Sequence, residues 1–234
     1  MKFNDLAWGA VGFYYRSAGD KRYSDIMRDS EFLTRLRYQP LDVSPKEFEI
    51  KAILGFIKLE SYDLLVSHQL AQNIINKIVE LQPELSHLMR VSMLECNLND
   101  RDIAEAISRI YNELQAYGLW ITGASKIAHI LNNHLFPVIS PALTHHFNVT
   151  EDSASIRHWL LKTQNDIQEA SDDFQREGLP GAPEVYLSER LGYATEGYQK
   201  SLVKFADEYY WLRYADGLVV PPRWLPVVNS SAAL

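Results

Sequence analysis

The sequence has almost no cysteine, no long apolar run and no excess of positive charge. Cys96 is the single cysteine of the 234 residues. That count excludes an internal disulfide and a zinc site built from cysteines, and it favours a reducing, cytoplasmic setting. No uninterrupted apolar stretch approaches the length of a membrane span, so we expect no membrane partner. The formal net charge of −7 argues against nonspecific coating of nucleic acid, because phosphate binding depends mainly on Lys and Arg.

Several catalytic motifs are also missing from the sequence. No glycine-rich phosphate loop precedes a lysine–threonine pair, and no serine lies in a nucleophile-elbow sequence, which disfavours nucleotide hydrolysis and esterase chemistry. His129, His134 and the adjacent His145 and His146 have no Asp or Glu partner at helical spacing between two of them. We therefore predict no metal site and no cofactor.

The residues that are present predict a helical protein. Hydrophobic residues make up 47% of the chain, an ordinary value for a globular protein. Their helical spacing predicts an all-α fold, a single globular domain over residues 1–234 with eight to ten helices, possibly packed as two lobes. We expect a monomer, and an extended tail over 221–234 because Pro221, Pro222 and Pro226 interrupt any helix there.

Helix boundaries can be read from caps and breakers. A long amphipathic helix should begin at Ser153 or Ser155 and bury Ile156, Trp159, Leu160, Thr163, Ile167, Ala170 and Phe174. Another should be capped by Asn99 and stop at Gly118. The basic segment 21–37 is either a phosphate-contacting surface or a solvated helix face. Further helices are expected over 5–17, 44–59, 64–81, 83–94 and 198–214, and a rigid turn over 179–183.

The stretch from Tyr117 to Pro141 carries the most specific pattern. A helix ends at Gly118, a tight turn containing Gly123 follows, and a second helix has Lys126 near its start. Exposed backbone N–H groups at such a turn can hold a DNA phosphate. Lys126 should then face outward or toward a cleft, as a phosphate contact or an amine nucleophile. The alternative is an exposed lysine without a role. The predicted DNA-binding residues are Thr122, Gly123, Ala124, Ser125 and Ser140, the last as the cap of a third helix.

Residues 119–140 resemble the helix-hairpin-helix segment of the DNA glycosylase superfamily, which includes endonuclease III and the 8-oxoguanine glycosylases. The resemblance implies that the hairpin grips double-stranded DNA, that a base is flipped out, and that a lysine or an aspartate drives cleavage of the base–sugar bond. Lys126 falls where the bifunctional enzymes keep their lysine. Trp120, Tyr210 and Trp211 are candidates for an aromatic base pocket, with core packing as the alternative.

The sequence departs from the family pattern at Ser140, where an aspartate is expected. Serine keeps the ability to cap a helix but loses the carboxylate. Asp152, Glu151 and Asp5 are possible replacements, and Asp152 joins Lys126 in the predicted catalytic set. An altered site would suit an unusual substrate, such as a modified base in foreign DNA. The other hypotheses are a DNA-binding module without chemistry and a helical protein-interaction domain.

Overall fold

The computed structural model describes residues 1–17, 19–38, 55–57, 68–116, 118–192 and 199–219, and all regular structure in these ranges is helical. Most of the helix predicted over 44–59, and the predicted tail over 221–234, lie outside the described residues. The all-α prediction is confirmed. The α-helices are α1 (Phe3–Arg16), α2 (Gly19–Arg28), α3 (Ser30–Tyr38), α4 (His68–Glu80), α5 (Gln82–Leu88), α6 (Arg101–Gln115), α7 (Ile121–Leu131), α8 (Pro141–Phe147), α9 (Ser153–Arg176), α10 (Pro183–Arg190) and α11 (Leu202–Tyr210).

The two clearest sequence predictions concern α6 and α9. Helix α9 begins at Ser153, and all seven residues predicted on its inner side are buried. Helix α6 is capped by Asp100, whose carboxylate accepts hydrogen bonds from the backbone of Asp102 and Ile103 at 3.0 and 3.3 Å. The predicted cap, Asn99, is thus one residue early. Gly118 adopts the left-handed conformation, φ 74°, soon after this helix ends, as predicted.

The basic segment 21–37 falls in two helices, α2 and α3. Other boundaries differ from the predictions. Pro183 opens α10 instead of closing a turn, because the fixed φ of proline suits the first position of a helix. Ser201 caps α11 by accepting a hydrogen bond from the backbone of Lys204, so this helix begins four residues later than predicted. A π-helical segment, Trp211–Ala215, follows α11 directly.

One continuous apolar core joins these helices, from Phe3 in α1 to Tyr210 in α11. Helices α1 and α11 approach so closely that a Cβ atom on Gly9 would lie 2.4 Å from the Cα of Tyr209. Helix α7 lies in the interior, and every one of its residues is buried. Arg37 of α3 caps the carboxyl end of α7, because its Nε and Nη2 donate hydrogen bonds to the carbonyl of Ile130 at 3.1 and 2.6 Å.

Among the described residues, no helix combines the length and the apolar character that crossing a membrane requires.

Candidate functional site

Helix α7 carries five of the predicted site residues, and its position corrects several predictions. Gly123 lies inside the helix, whereas the bend is at Gly118, which has the positive φ angle. The prediction that Gly123 forms the hairpin turn is therefore wrong. Gly123 has no positive φ angle and continues the helix that begins at Ile121.

The predicted DNA-binding residues of α7 pack inside the protein. All four of these residues, Thr122, Gly123, Ala124 and Ser125, are buried, so none of them presents an exposed surface for a DNA contact. The hydroxyl of Ser125 donates to the carbonyl of Thr122 at 2.9 Å and accepts from the backbone N–H of Ile139 at 2.8 Å. These bonds tie α7 to the segment that leads into α8, which is a structural role.

Lys126 is also buried, with 1% of its surface exposed. Its Nζ donates to the carbonyl of Phe56 at 2.7 Å and lies 4.9 Å from the centroid of the Phe56 ring. The prediction that Lys126 faces outward is wrong, because α7 has no solvent face. The amine is instead held in a desolvated environment, where its charge is costly without polar partners.

Ser140 occupies the predicted cap position of α8, with Pro141 in the first turn. Its hydroxyl, however, makes no capping hydrogen bond, and the buried oxygen has no partner in the part of the chain that the structure describes. The carbonyl of Ser140 accepts from the backbone of Leu143 and Thr144 at 3.0 Å. Ser140 is only 4% exposed and presents no surface to DNA.

Asp152 is the N-cap of α9. Its carboxylate accepts hydrogen bonds from the backbone of Ser155 at 2.9 Å and from the hydroxyl of Thr150. These bonds, the one from Thr150 first, lower the pKa of Asp152. The residue is exposed and caps a helix end, so its contacts explain its presence without chemistry.

The three aromatic residues predicted as a base pocket have different surroundings. Trp120 precedes α7 and is 68% exposed. Tyr210 is buried and donates its hydroxyl to Asp166 of α9 at 2.5 Å. Trp211 packs instead on Phe13 of α1, with ring centroids 5.2 Å apart. For Tyr210 the alternative of core packing is correct.

A set of buried ionisable side chains that sequence reasoning did not identify lies on α11 and just before it. Lys200 pairs with Glu208 at 2.8 Å, and both side chains are fully buried. Lys204 pairs with Asp207 at 2.8 Å and with Glu208 at 3.5 Å. Burial alone lowers the pKa of Lys204, but the two carboxylates outweigh it, and the pKa is raised. The spacing of 204, 207 and 208 on one helix face was the available signal.

His129 of α7 joins this set through Tyr23 of α2. Its Nδ1 lies 2.5 Å from the carbonyl of Phe136, which can only accept, so we assign the proton of the neutral ring to Nδ1. Its Nε2 then accepts from the Tyr23 hydroxyl at 3.2 Å. Burial, assisted by the charge of Lys204, lowers the pKa of His129 to about 3. Burial also raises the pKa of Tyr23, so both groups are neutral at pH 7.

Ring contacts connect Lys126 to the same set. Its neighbour Phe56 lies 6.1 Å from the Tyr23 ring, centroid to centroid. The Nζ of Lys204 lies 4.9 Å from the centroid of the same Tyr23 ring. We call these residues the buried polar layer: Tyr23, Lys126, His129, Lys200, Lys204, Asp207 and Glu208. Perturbed, desolvated ionisable groups gathered in this way are typical of functional sites, although structural ion-pair networks have the same signature.

Comparison with protein-family models, with curated proteins and with solved structures finds no match to this chain. The functional argument therefore depends on the residues and contacts described above.

Proposed function

We propose that the protein is a DNA glycosylase-like enzyme that binds double-stranded DNA, extrudes a base and cleaves its N-glycosidic bond in the buried polar layer. The observation that supports this proposal is the desolvated amine of Lys126, 1% exposed and 2.7 Å from the Phe56 carbonyl. Lys126 is also the residue that matches the reactive lysine of the superfamily in the sequence resemblance. A buried amine is a common form of lysine nucleophile.

The proposed chemistry requires few groups. The amine of Lys126, after it loses its proton, attacks C1′ of the sugar, the C1′–N bond breaks, and the base leaves with the bonding electrons and takes up a proton. The sugar ring then opens to give an imine between C1′ and Nζ. Because Phe56 covers Lys126, the proposal requires Phe56 to move when the extruded nucleotide enters.

The carboxylate that the family pattern expects at Ser140 has a different source in this proposal. Asp207 and Glu208 are buried acids beside Lys204, whereas Asp152 is an exposed helix cap. A buried carboxylate stabilises positive charge on a sugar better than an exposed one, because the surrounding dielectric constant is lower. We therefore transfer the predicted carboxylate role from Asp152 to Asp207 or Glu208.

Base release tests the proposal directly. Duplex oligonucleotides that each contain one modified base are incubated with the protein, and abasic sites are detected by alkaline strand cleavage. We expect release from at least one duplex, and loss of release in Lys126→Met, which keeps the length of the side chain. The matched control is Lys2→Met, since Lys2 is an exposed lysine. Activity that persists in a folded Lys126→Met variant would remove Lys126 from the mechanism.

A second function, DNA binding without chemistry, is favoured by two observations. The Lys126 amine is already hydrogen-bonded to a backbone carbonyl, and Ser140 lacks the family carboxylate. Salt-dependent binding of all duplexes with no base released from any of them would support this module and contradict the enzyme.

A further inference from the structure

An open polar groove runs between α6 and the first turns of α9. Its volume is about 670 Å³, within the usual range for ligand sites. Three arginines line it: Arg101 and Arg109 on α6, and Arg157 on α9. Asn99, Asn112 and Ser153 add amide and hydroxyl groups along the same groove. Such groups, with arginine, make most of the contacts that proteins form with phosphate oxygens.

The charges in the groove are not evenly balanced. Arg101 pairs with Glu105 at 2.7 Å, and Arg109 pairs with Glu84. Glu113, the other acid in the lining, is held by Lys77 at 2.9 Å. Each of these carboxylates thus already pairs with a cation other than Arg157.

Within the described ranges, Arg157 has no carboxylate partner. Its Nη2 donates to the side-chain oxygen of Asn99 at 2.8 Å, and its buried Nε has no hydrogen-bond partner. A guanidinium presents donors in a planar fork that matches two oxygens of a phosphate. An anion in the groove would therefore complete the hydrogen bonding of Arg157.

The neighbouring ion pairs do not prevent this binding. The side chains of Arg101 and Glu105 are 86% and 64% exposed, and exposed pairs contribute little to stability. Arg101 can therefore exchange or share its carboxylate with a phosphate at small cost. Glu84 is only 14% exposed, so Arg109 keeps this carboxylate and can contact a phosphate through its remaining N–H donors.

Two hydrogen bonds join α6 to the start of α9 beside the groove. The Ser153 hydroxyl donates to the side-chain oxygen of Asn112, and the Gln115 amide donates to the carbonyl of Glu151.

We propose that the groove between α6 and α9 binds the phosphodiester backbone of a nucleic-acid strand, with Arg157 as the central contact and Arg101 and Arg109 beside it. The choice of partner rests on the proposed function. The location of the binding surface does not rest on the proposed function, because it follows from the charges and hydrogen bonds of the groove. This surface replaces α7, whose residues are buried, as the DNA-contacting face.

The test is the salt dependence of DNA binding by the full chain, measured by fluorescence anisotropy of a labelled duplex between 50 and 200 mM NaCl. The slope of log K against log salt is about −0.9 per neutralised phosphate. We expect Arg157→Gln to reduce its magnitude by about 1 and the variant with all three arginines changed to glutamine by about 3. Arg157→Lys should keep most of the slope, since it keeps the charge and loses only the fork.

The matched control is Arg176→Gln. Arg176 lies at the other end of α9, outside the groove, and pairs with Asp173 at 3.0 Å. It should bind DNA as the wild type does. Circular dichroism of every variant separates loss of binding from loss of folding.

The outcomes separate this inference from the proposed function. A reduced slope without any base release supports the groove and contradicts the enzyme. Base release together with an unchanged slope in the folded triple variant overturns the groove alone. A third outcome is that the protein binds inorganic phosphate at millimolar concentration, loses that binding in Arg157→Gln, and shows no affinity for the duplex. That result overturns the nucleic-acid partner.

Discussion

Replacing Glu208 with glutamine should be among the most damaging single changes in the buried polar layer. Glu208 is fully buried and faces two lysines, Lys200 at 2.8 Å and Lys204 at 3.5 Å. Glutamine keeps the shape of the side chain and removes its charge. Lys200 then loses a fully buried ion-pair partner, whereas Lys204 retains Asp207 at 2.8 Å.

The magnitude follows from the loss of the buried Lys200–Glu208 ion pair. Removing one partner of a buried ion pair typically costs 3–5 kcal/mol, so we expect a loss of about 4 kcal/mol in the free energy of unfolding. A domain of ordinary stability has only about 5–15 kcal/mol to lose. Lys200→Met should cost less than Glu208→Gln, because Glu208 would still face Lys204.

The double variant Lys200→Met/Glu208→Leu provides the decisive comparison. Replacing a buried ion pair by apolar side chains of similar volume is often neutral, so its stability should lie within about 1 kcal/mol of the wild type. Urea unfolding followed by far-ultraviolet circular dichroism gives all three free energies, provided that the m-values agree. A loss below about 1 kcal/mol in Glu208→Gln, or a double variant less stable than Glu208→Gln, would refute a buried, coupled pair.

Three further predictions follow from the geometry. The pKa of His129, lowered to about 3, gives stability that is complete above pH 6.5 and lost as the pH falls toward 3. Below pH 6.5 the free energy of unfolding of the wild type should therefore fall by about 1.4 kcal/mol more per pH unit than that of His129→Gln. Urea unfolding measures both slopes, with His145→Gln as the control. Equal slopes would contradict this prediction. In thermal melts, Gly118→Ala should cost about 1 kcal/mol of stability because the φ angle of Gly118 is 74°. Gly123→Ala should be neutral or stabilising, because Gly123 lies inside a helix and its added methyl group would lie 3.4 Å from the nearest side chain. A larger cost for Gly123→Ala than for Gly118→Ala would restore Gly123 as the turn. Gly9→Ala should cost about 3 kcal/mol in urea unfolding, because its methyl group would lie 2.4 Å from backbone, and a change below about 0.5 kcal/mol would disprove that close approach.

Local patterns predicted the elements whose determinants are local. The apolar spacing from Ile156 to Phe174 determines both the length and the inner face of α9, and a glycine after α6 supplies the left-handed stop. A serine followed by a proline located the start of α8 for the same reason. Each of these signals acts within a few residues, so the sequence alone was sufficient.

The candidate site depends on contacts between distant residues. Thr122, Lys126 and His129 form a polar side on α7, which is typical of a solvated face. That side is covered by Phe56 and Tyr23, which are about 70 to 106 positions away in the chain from the residues they bond. No local pattern encodes such coverage. For this reason the sequence predicted a helix around Lys126 but the wrong environment for its lysine.

The same limitation applies to α11. Lys204, Asp207 and Glu208 at spacings of three and four are equally typical of an exposed helix with intrahelical ion pairs. Only the packing of α11 on α1, and of Lys204 on the rings of Phe13 and Tyr23, makes the group an interior one. Charge spacing could therefore have predicted a pairing but not its burial.

Mapping a borohydride-trapped adduct tests the assignment of Lys126 most directly. The protein is incubated with a duplex from which it releases a base, in the presence of sodium borohydride, and the cross-linked peptide is identified by mass spectrometry. We predict that the reduced sugar adduct is carried by the peptide containing Lys126 and disappears in Lys126→Met. An adduct on an exposed lysine, or base release with no adduct on any lysine, would contradict a reactive amine in the buried polar layer.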